Sequence, residues 1–169
     1  MNRPDPIDVL NHLLRLLCRS LPVYLAGVAG KGDSPHLPGR PTGCFAQTGT
    51  VSCFPVWSRD GEAPGLAVLQ TIAEDRQRLA ERVAAAIDQR GGLPETGRFP
   101  AAFTAMNDLS LDYILDCVRR EQQEEAPALQ RCLAELEGDP EAHALAAEIL
   151  ANACKHREML DGLQVAGTL

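Results

Sequence analysis

The side chains best able to do chemistry in this chain are one histidine and two acids that helical spacing carries toward a helix interior. At about 100° of rotation per residue, His156 lies within the apolar arc of the last predicted helix. Glu125 lies within the arc of the helix before it, and Glu121 lies at the edge of that arc. An imidazole with one or two carboxylates can hold a transition-metal ion. The first interpretation is therefore a mononuclear metal or small-ligand site, with iron, zinc or manganese as the candidate ions.

A second interpretation of the same residues is structural. Arg76 falls near the centre of the apolar arc of the second predicted helix, and Gln122 lies within the arc of the third. Counting along an antiparallel pair puts Arg76 and Gln122 at one level, with His156 at a similar height. Buried polar groups are costly unless they are paired. We therefore expect a network of Arg76, Gln122, Glu125 and His156, in which Glu121 or Glu125 pairs with Arg76 and caps His156. The Arg76 cation argues against a neighbouring metal ion.

A further set of reactive side chains, His36, Cys44 and Cys53, lies where helical periodicity is lost. Two cysteines nine residues apart with one histidine lack the close Cys-x-x-Cys spacing of a structural zinc site. We interpret them as incidental thiols in a long loop, and a redox-sensitive disulfide is the alternative. For all six cysteines we expect free thiols.

Motifs that identify an enzyme class are missing from the sequence. We find no Gly-x-Ser-x-Gly motif, no phosphate-cradling glycine-rich loop and no dinucleotide fingerprint. The stretch from Gly61 to Gly65 lacks both the spacing and the preceding strand that such a fingerprint needs. The catalytic residues are therefore unknown, and we assign no cofactor-binding residue.

Four amphipathic helices must position the candidate residues. Apolar residues recur every three or four positions over about 5–26, 64–90, 108–137 and 140–163, and 27–63 is predicted to be a long irregular loop. Four such helices in succession favour a single all-α domain over residues 1–169, an antiparallel up-down four-helix bundle.

Proline and acidic residues predict where these helices begin and bend. Asp5 and Asp139 are expected to cap the first and last helices, each followed by a proline at the first helical position. Asn107 or Asp108 is expected to cap the third helix. Pro22 should kink the end of the first helix, and Pro127 should kink or restart the third near Glu125.

Several stretches from the second predicted helix to the start of the third carry a resemblance to a known family. They are Thr71–Arg82, Arg90–Gly92, Gly97–Pro100, Phe103–Thr104 and Asn107–Tyr113. In them the chain resembles an uncharacterised bacterial branch of the ferritin-like four-helix-bundle superfamily. The resemblance covers residues 57–163 and, more weakly, the first helix, whereas 30–55 look like an insertion.

The resemblance implies a bundle fold but not a di-iron centre. Ferritin-like di-iron proteins use a Glu from each of two helices and a Glu-x-x-His pair from each of the other two. Here the first helix contains no Glu, the second contains no His, and Ala153 stands three residues before His156. No di-iron ligand can be carried over to this chain.

The net charge and the composition of the chain argue against some classes of binding partner and location. A net charge of -7 and a pI near 5.1 argue against nucleic acid, because phosphate binding needs a basic face. The N-terminal apolar stretch contains Asp8, His12, Arg15 and Arg19, so we expect neither a signal peptide nor a membrane span, and a cytoplasmic location.

The leading functional hypothesis from the sequence is a non-catalytic binding or assembly module. Bundles often associate through a remaining apolar face, and Leu13, Leu25 and Ala84–Ala86 widen the apolar stripes enough to permit a homodimer. The alternative hypothesis is a metal-binding protein or oxidoreductase that uses the mid-bundle His and Glu residues. A protein or small-molecule ligand remains unidentified.

Overall fold

The computed structural model describes residues 4–29, 63–106 and 109–166, and all regular structure in these ranges is helical. The helices are α1 (Pro6–Cys18), α2 (Leu21–Ala29), α3 (Ala63–Gln89), α4 (Leu111–Glu135) and α5 (Pro140–Ala166), with a 3-10 helix at Ala101–Met106. The all-α prediction is confirmed for these residues. Among them, no helix is long and apolar enough to cross a membrane.

The first predicted helix is in fact two helices. α1 ends at Cys18, and α2 begins at Leu21. Pro22, which was expected to kink a continuous helix, occupies the second position of α2, where its missing N–H breaks no hydrogen bond. The Ser20 hydroxyl donates to the Leu17 carbonyl over 3.3 Å, so it satisfies one of the carbonyls left free where α1 ends.

The caps of α1 and α5 are those that the sequence predicts. The Asp5 carboxylate accepts a hydrogen bond from the Ile7 N–H at 3.0 Å, and Pro6 is the first residue of α1. Asp139 accepts from the Ala142 N–H at 3.0 Å, directly before α5. A side chain that caps the free N–H groups of a first turn stabilises a helix by about 1 kcal/mol.

The third predicted helix differs from expectation at its start and at its proline. Ser110 is the N-cap of α4, whereas the expected caps, Asn107 and Asp108, lie outside the described residues. α4 continues through Pro127 without the restart expected near Glu125. Pro127 is exposed to solvent, where water can reach the carbonyl that its ring leaves without a donor.

Helix direction follows from contacts at different heights. Arg76 of α3 is bonded to Glu125 of α4. Near the start of α3, a Cβ added at Gly65 would lie 3.0 Å from Leu115 Cδ1, close to the start of α4. Later residues of α3 thus meet later residues of α4, so the two helices run in the same direction. The expected strict alternation of up and down fails at this step.

The other neighbouring helices run in opposite directions. The side chains of α3 contact α5 and its capping residue in the pairs Asp75–His156, Arg82–Glu148 and Arg90–Asp139, so residue numbers rise on α3 as they fall on α5. Likewise α1 opposes α3, because Ile7 lies beside Gly92, just past the end of α3, while the carbonyl of Leu16 accepts from Arg76 near its middle.

Residues 90–106, which follow α3, run back along α1 and α2, and we call them the returning segment. Gly91, in the left-handed region with φ 74°, turns the chain at the end of α3. Asn11 of α1 then holds the segment at two points: its Nδ2 donates to the Leu93 carbonyl (3.2 Å), and its Oδ1 accepts from the Glu95 N–H (2.8 Å). Farther on, the ring of Phe99 lies 5.3 Å from that of Tyr24 in α2.

Buried apolar residues form two clusters, one at each end of the helices. The first is built around α1, the later parts of α3 and α4 and the start of α5, and includes Leu10, Leu14, Val83, Ile87, Cys132 and Ile149. The second joins α2 to the early parts of α3 and α4 and to the end of α5, and includes Leu21, Leu25, Leu69, Ile72, Ile114, Val118 and Leu160. Between the two clusters lie the polar residues that the sequence predicts in the interior, namely Arg76, Gln122, Glu125 and His156.

Candidate functional site

A layer of polar side chains separates the two apolar clusters. Arg76 is 4% exposed, Gln122 5% and His156 1%. Each lies midway along its helix, at the depth where α1 ends and α2 begins. The structure therefore brings Arg76, Gln122, Glu125 and His156 into one part of the interior. The expected hydrogen-bonded network does not include Gln122, because neither polar atom of its buried amide has a hydrogen-bond partner among the described residues.

Arg76 and Glu125 form a two-point ion pair inside this layer. Arg76 donates through Nη2 to Glu125 Oε2 at 2.6 Å and through Nη1 to Oε1 at 3.2 Å. Of the two acids expected beside Arg76, Glu125 makes the contact. Burial works to lower the pKa of Arg76, but the charges of Glu125 and Glu121 outweigh it and raise that pKa. Arg76 is thus a fixed cation.

The same layer caps the break in the first helix. Arg76 Nη1 also donates to the Leu16 carbonyl at 3.3 Å, in the last turn of α1. Both carboxylate oxygens of Glu121 accept from the Leu21 N–H at 3.1 Å, at the first residue of α2. A cation at a helix C-terminus and an anion at an N-terminus each oppose the helix dipole favourably. The buried charges therefore satisfy backbone groups that the break leaves free.

Among the acids of the polar layer, Glu121 has the most strongly shifted pKa. Burial raises the pKa of its carboxyl to about 7, and repulsion from Glu125 and Glu124 adds to the rise. The attraction of Arg76 and the hydrogen bond from Leu21 oppose it. Near neutral pH this group exists in both protonation states.

His156 has a different partner from the one expected. Its Nε2 lies 3.1 Å from Asp75 Oδ2, so Asp75 of α3, and not Glu121 or Glu125, orients the ring. Burial lowers the pKa of His156, and the nearby charge of Arg76 lowers it further, against the attraction of Asp75. His156 is therefore neutral at pH 7 and donates its Nε2 proton to the carboxylate.

Asp75 is the residue that the sequence reasoning missed. It also accepts from Arg78 Nη2 at 2.6 Å and, more weakly, from Asn152 Nδ2 at 3.5 Å. Although burial acts to raise the pKa of Asp75, the bonds from His156 and Arg78 lower it overall. An antiparallel register of α3 against α5, counted from Arg90 and Asp139, would have placed Asp75 opposite Cys154, two residues from His156.

A small cavity lies beside the Arg76–Glu125 pair. It has a volume of about 10 Å³, and Asn152 and His156 line it together with Arg76 and Glu125. Its remaining walls are apolar, from Leu16, Leu17, Leu79, Leu129, Ile149 and Ala153. Such a space has room for about one water molecule.

The three proposed metal ligands do not converge. Glu125 is held by Arg76, Glu121 by the Leu21 N–H, and His156 by Asp75. Within residues 4–29, 63–106 and 109–166, no group of three or more His, Cys, Asp or Glu side chains could hold a metal ion. The interior carboxylates and the imidazole thus bind partners within the chain.

The remaining sequence candidates are the thiols. His36, Cys44 and Cys53 lie outside the described residues. Cys117, Cys132 and Cys154 are free thiols, as expected. Burial raises the pKa of Cys132 to about 11, and Glu135 adds to the rise, so this thiol stays protonated at neutral pH and is a poor nucleophile.

Comparison with known proteins adds no family. No family model, curated protein or solved structure matches this chain.

Proposed function

We propose that this chain is a non-catalytic assembly module with a ferritin-like four-helix-bundle fold and that its partner is a second copy of itself. One observation carries the proposal: the polar groups that could do chemistry are engaged in capping and pairing inside the chain. Arg76 and Glu121 serve the break between α1 and α2, and Asp75 holds His156. The adjoining cavity of about 10 Å³ is far smaller than the several hundred Å³ of a typical ligand pocket.

The direction of the helices supports the ferritin-like part of the proposal. In this fold one long crossover joins two antiparallel helix pairs. Here α3 and α4 run the same way, and residues 90–110 provide a connection long enough to return along α1 and α2. With α1 and α2 counted as one broken helix, the order is up, down, down, up.

The exposed apolar side chains support self-association. Leu13 and Leu25, expected at a dimer face, have no exposed surface because they lie in the two core clusters. Leu93 and Phe99, on the returning segment, are 81% and 41% exposed. Burying such side chains against another copy would contribute roughly 1–2 kcal/mol each. We place the self-association face on this segment.

Sedimentation equilibrium over a concentration series tests the proposal. We expect a reversible dimer, and Leu93→Ser should raise its dissociation constant about tenfold. Ala85→Ser, at an exposed position on α3, is the matched control and should leave the constant unchanged. A monomer at the highest concentration would contradict self-association, and an effect of Ala85→Ser alone would move the face to α3.

A further inference from the structure

Two residues that line the cavity each carry a buried polar atom without a partner in the described part of the chain. Arg76 Nε and Asn152 Oδ1 are both inaccessible to solvent and make no hydrogen bond with any residue that the structure describes. Both residues line the cavity of about 10 Å³. One atom is a donor and the other is an acceptor. A buried polar group without a partner destabilises the folded state, so two such groups on residues that line one cavity require an occupant.

The size and chemistry of the cavity define that occupant. The volume admits about one water-sized species. The Arg76 cation disfavours a metal or ammonium ion, and the acceptor oxygens of Asn152 and Glu125 disfavour an anion. A species that accepts from Arg76 Nε and donates to Asn152 Oδ1 satisfies both atoms, and the Glu125 carboxylate on the same wall offers a third partner.

We propose that this cavity is the binding site of a single water molecule that bridges Arg76 and Asn152. The water joins the Arg76–Glu125 pair to the Asn152–Asp75–His156 cluster, which the protein's own side chains leave separate. These five side chains then form one continuous hydrogen-bonded network across α3, α4 and α5.

The test is the contact between water and the Arg76 side chain in solution. The Arg76 Nε–H should show a cross-peak to a long-lived water molecule in a rotating-frame NMR experiment. Asn152→Leu fills the space with apolar atoms and should abolish the cross-peak. Ala151→Leu, the same new side chain at the exposed neighbouring position, should leave it intact.

A crystal structure of the unaltered protein at about 1.5 Å gives an independent answer that does not depend on a variant folding. Ordered density within 3.3 Å of both Arg76 Nε and Asn152 Oδ1 would support the proposal. An empty cavity would overturn it, as would a rotated Asn152 whose oxygen is bonded to a protein donor. A cross-peak that survives Asn152→Leu would also count against the bridge.

Discussion

At the scale of single residues, the ionisable side chains buried in the interior are explained by the backbone groups that they contact. Arg76 sits at the C-terminal end of α1, and Glu121 sits at the N-terminal end of α2. A continuous helix would offer neither a free carbonyl nor a free N–H at this depth. The break in the helix and the polar groups around it therefore depend on each other. The side chains satisfy backbone groups that the break leaves free, and these backbone groups reduce the cost of burying the side chains.

Glu121 should make stability depend on pH in a specific direction. Its pKa of about 7 in the folded chain lies above the ordinary 4.5, so the folded state holds this proton more tightly than the unfolded state. This contribution is fully present below pH 4.5 and is lost as the pH rises through 7. The unfolding free energy of the wild type, relative to Glu121→Gln, should fall by on the order of 2 kcal/mol between pH 5 and pH 8.

Urea unfolding at several pH values measures this difference. Glu135→Gln, at an exposed position near the end of the same helix and away from Glu121, is the control, and its difference in unfolding free energy from the wild type should be the same at every pH. A Glu121→Gln difference that is flat, or that changes in the opposite sense, would show that Glu121 is not buried as described.

Much of the residue-scale arrangement could be predicted from helical periodicity. The 100° rotation per residue places Arg76, Gln122 and His156 in the interior, where the structure also has them. Periodicity could not choose the partners, because these depend on the register between helices. Asp75 was missed because it lies beside Arg76 at the edge of the apolar arc, 19% exposed at its side chain.

At the scale of elements, Asn11 is the clamp that orders the returning segment. It is buried and pairs with one carbonyl and one N–H of that segment. Asn11→Ala would remove both partners and should lower the unfolding free energy by about 1–3 kcal/mol. Glu95→Ala removes only an exposed ion pair with Arg15 and should cost less than about 1 kcal/mol. Equal effects in a denaturant titration would contradict the clamp.

Element boundaries show where local sequence rules hold and where they stop. Caps at Asp5 and Asp139 were predictable because the capping side chain and its backbone donor are close in sequence. The division at Ser20 was not, because it depends on Arg76 and Glu121, which are distant in sequence. Pro22 marked the place but suggested only a kink.

At the scale of the whole molecule, the path of the chain is the feature that periodicity could not reveal. Arg76 lies at the midpoint of α3, and Glu125 lies near the midpoint of α4. Such residues are level whether the helices run the same way or oppositely. The correct depth of the polar layer therefore followed even from the wrong direction of α4.

Distances between spin labels test this path. Labels at the exposed positions Ala67, Asp112 and Glu135 can be introduced through an unnatural amino acid, because the chain has six native cysteines. With α3 and α4 in the same direction, the distance from 67 to 112 should be shorter than that from 67 to 135 by about 20 Å. The reverse order of distances would restore the alternating bundle.

The buried side chains of Arg76 and Glu121 stabilise the helix ends that meet at the break between α1 and α2. The direct measurement is the unfolding free energy at pH 6 of Glu121→Ala against Glu124→Ala, two identical changes on α4. We expect Glu121→Ala to be less stable by about 1–3 kcal/mol, with faster amide exchange in the first turn of α2, because the Leu21 N–H loses its acceptor. Equal stability of the two variants, with unchanged exchange in α2, would contradict the claim.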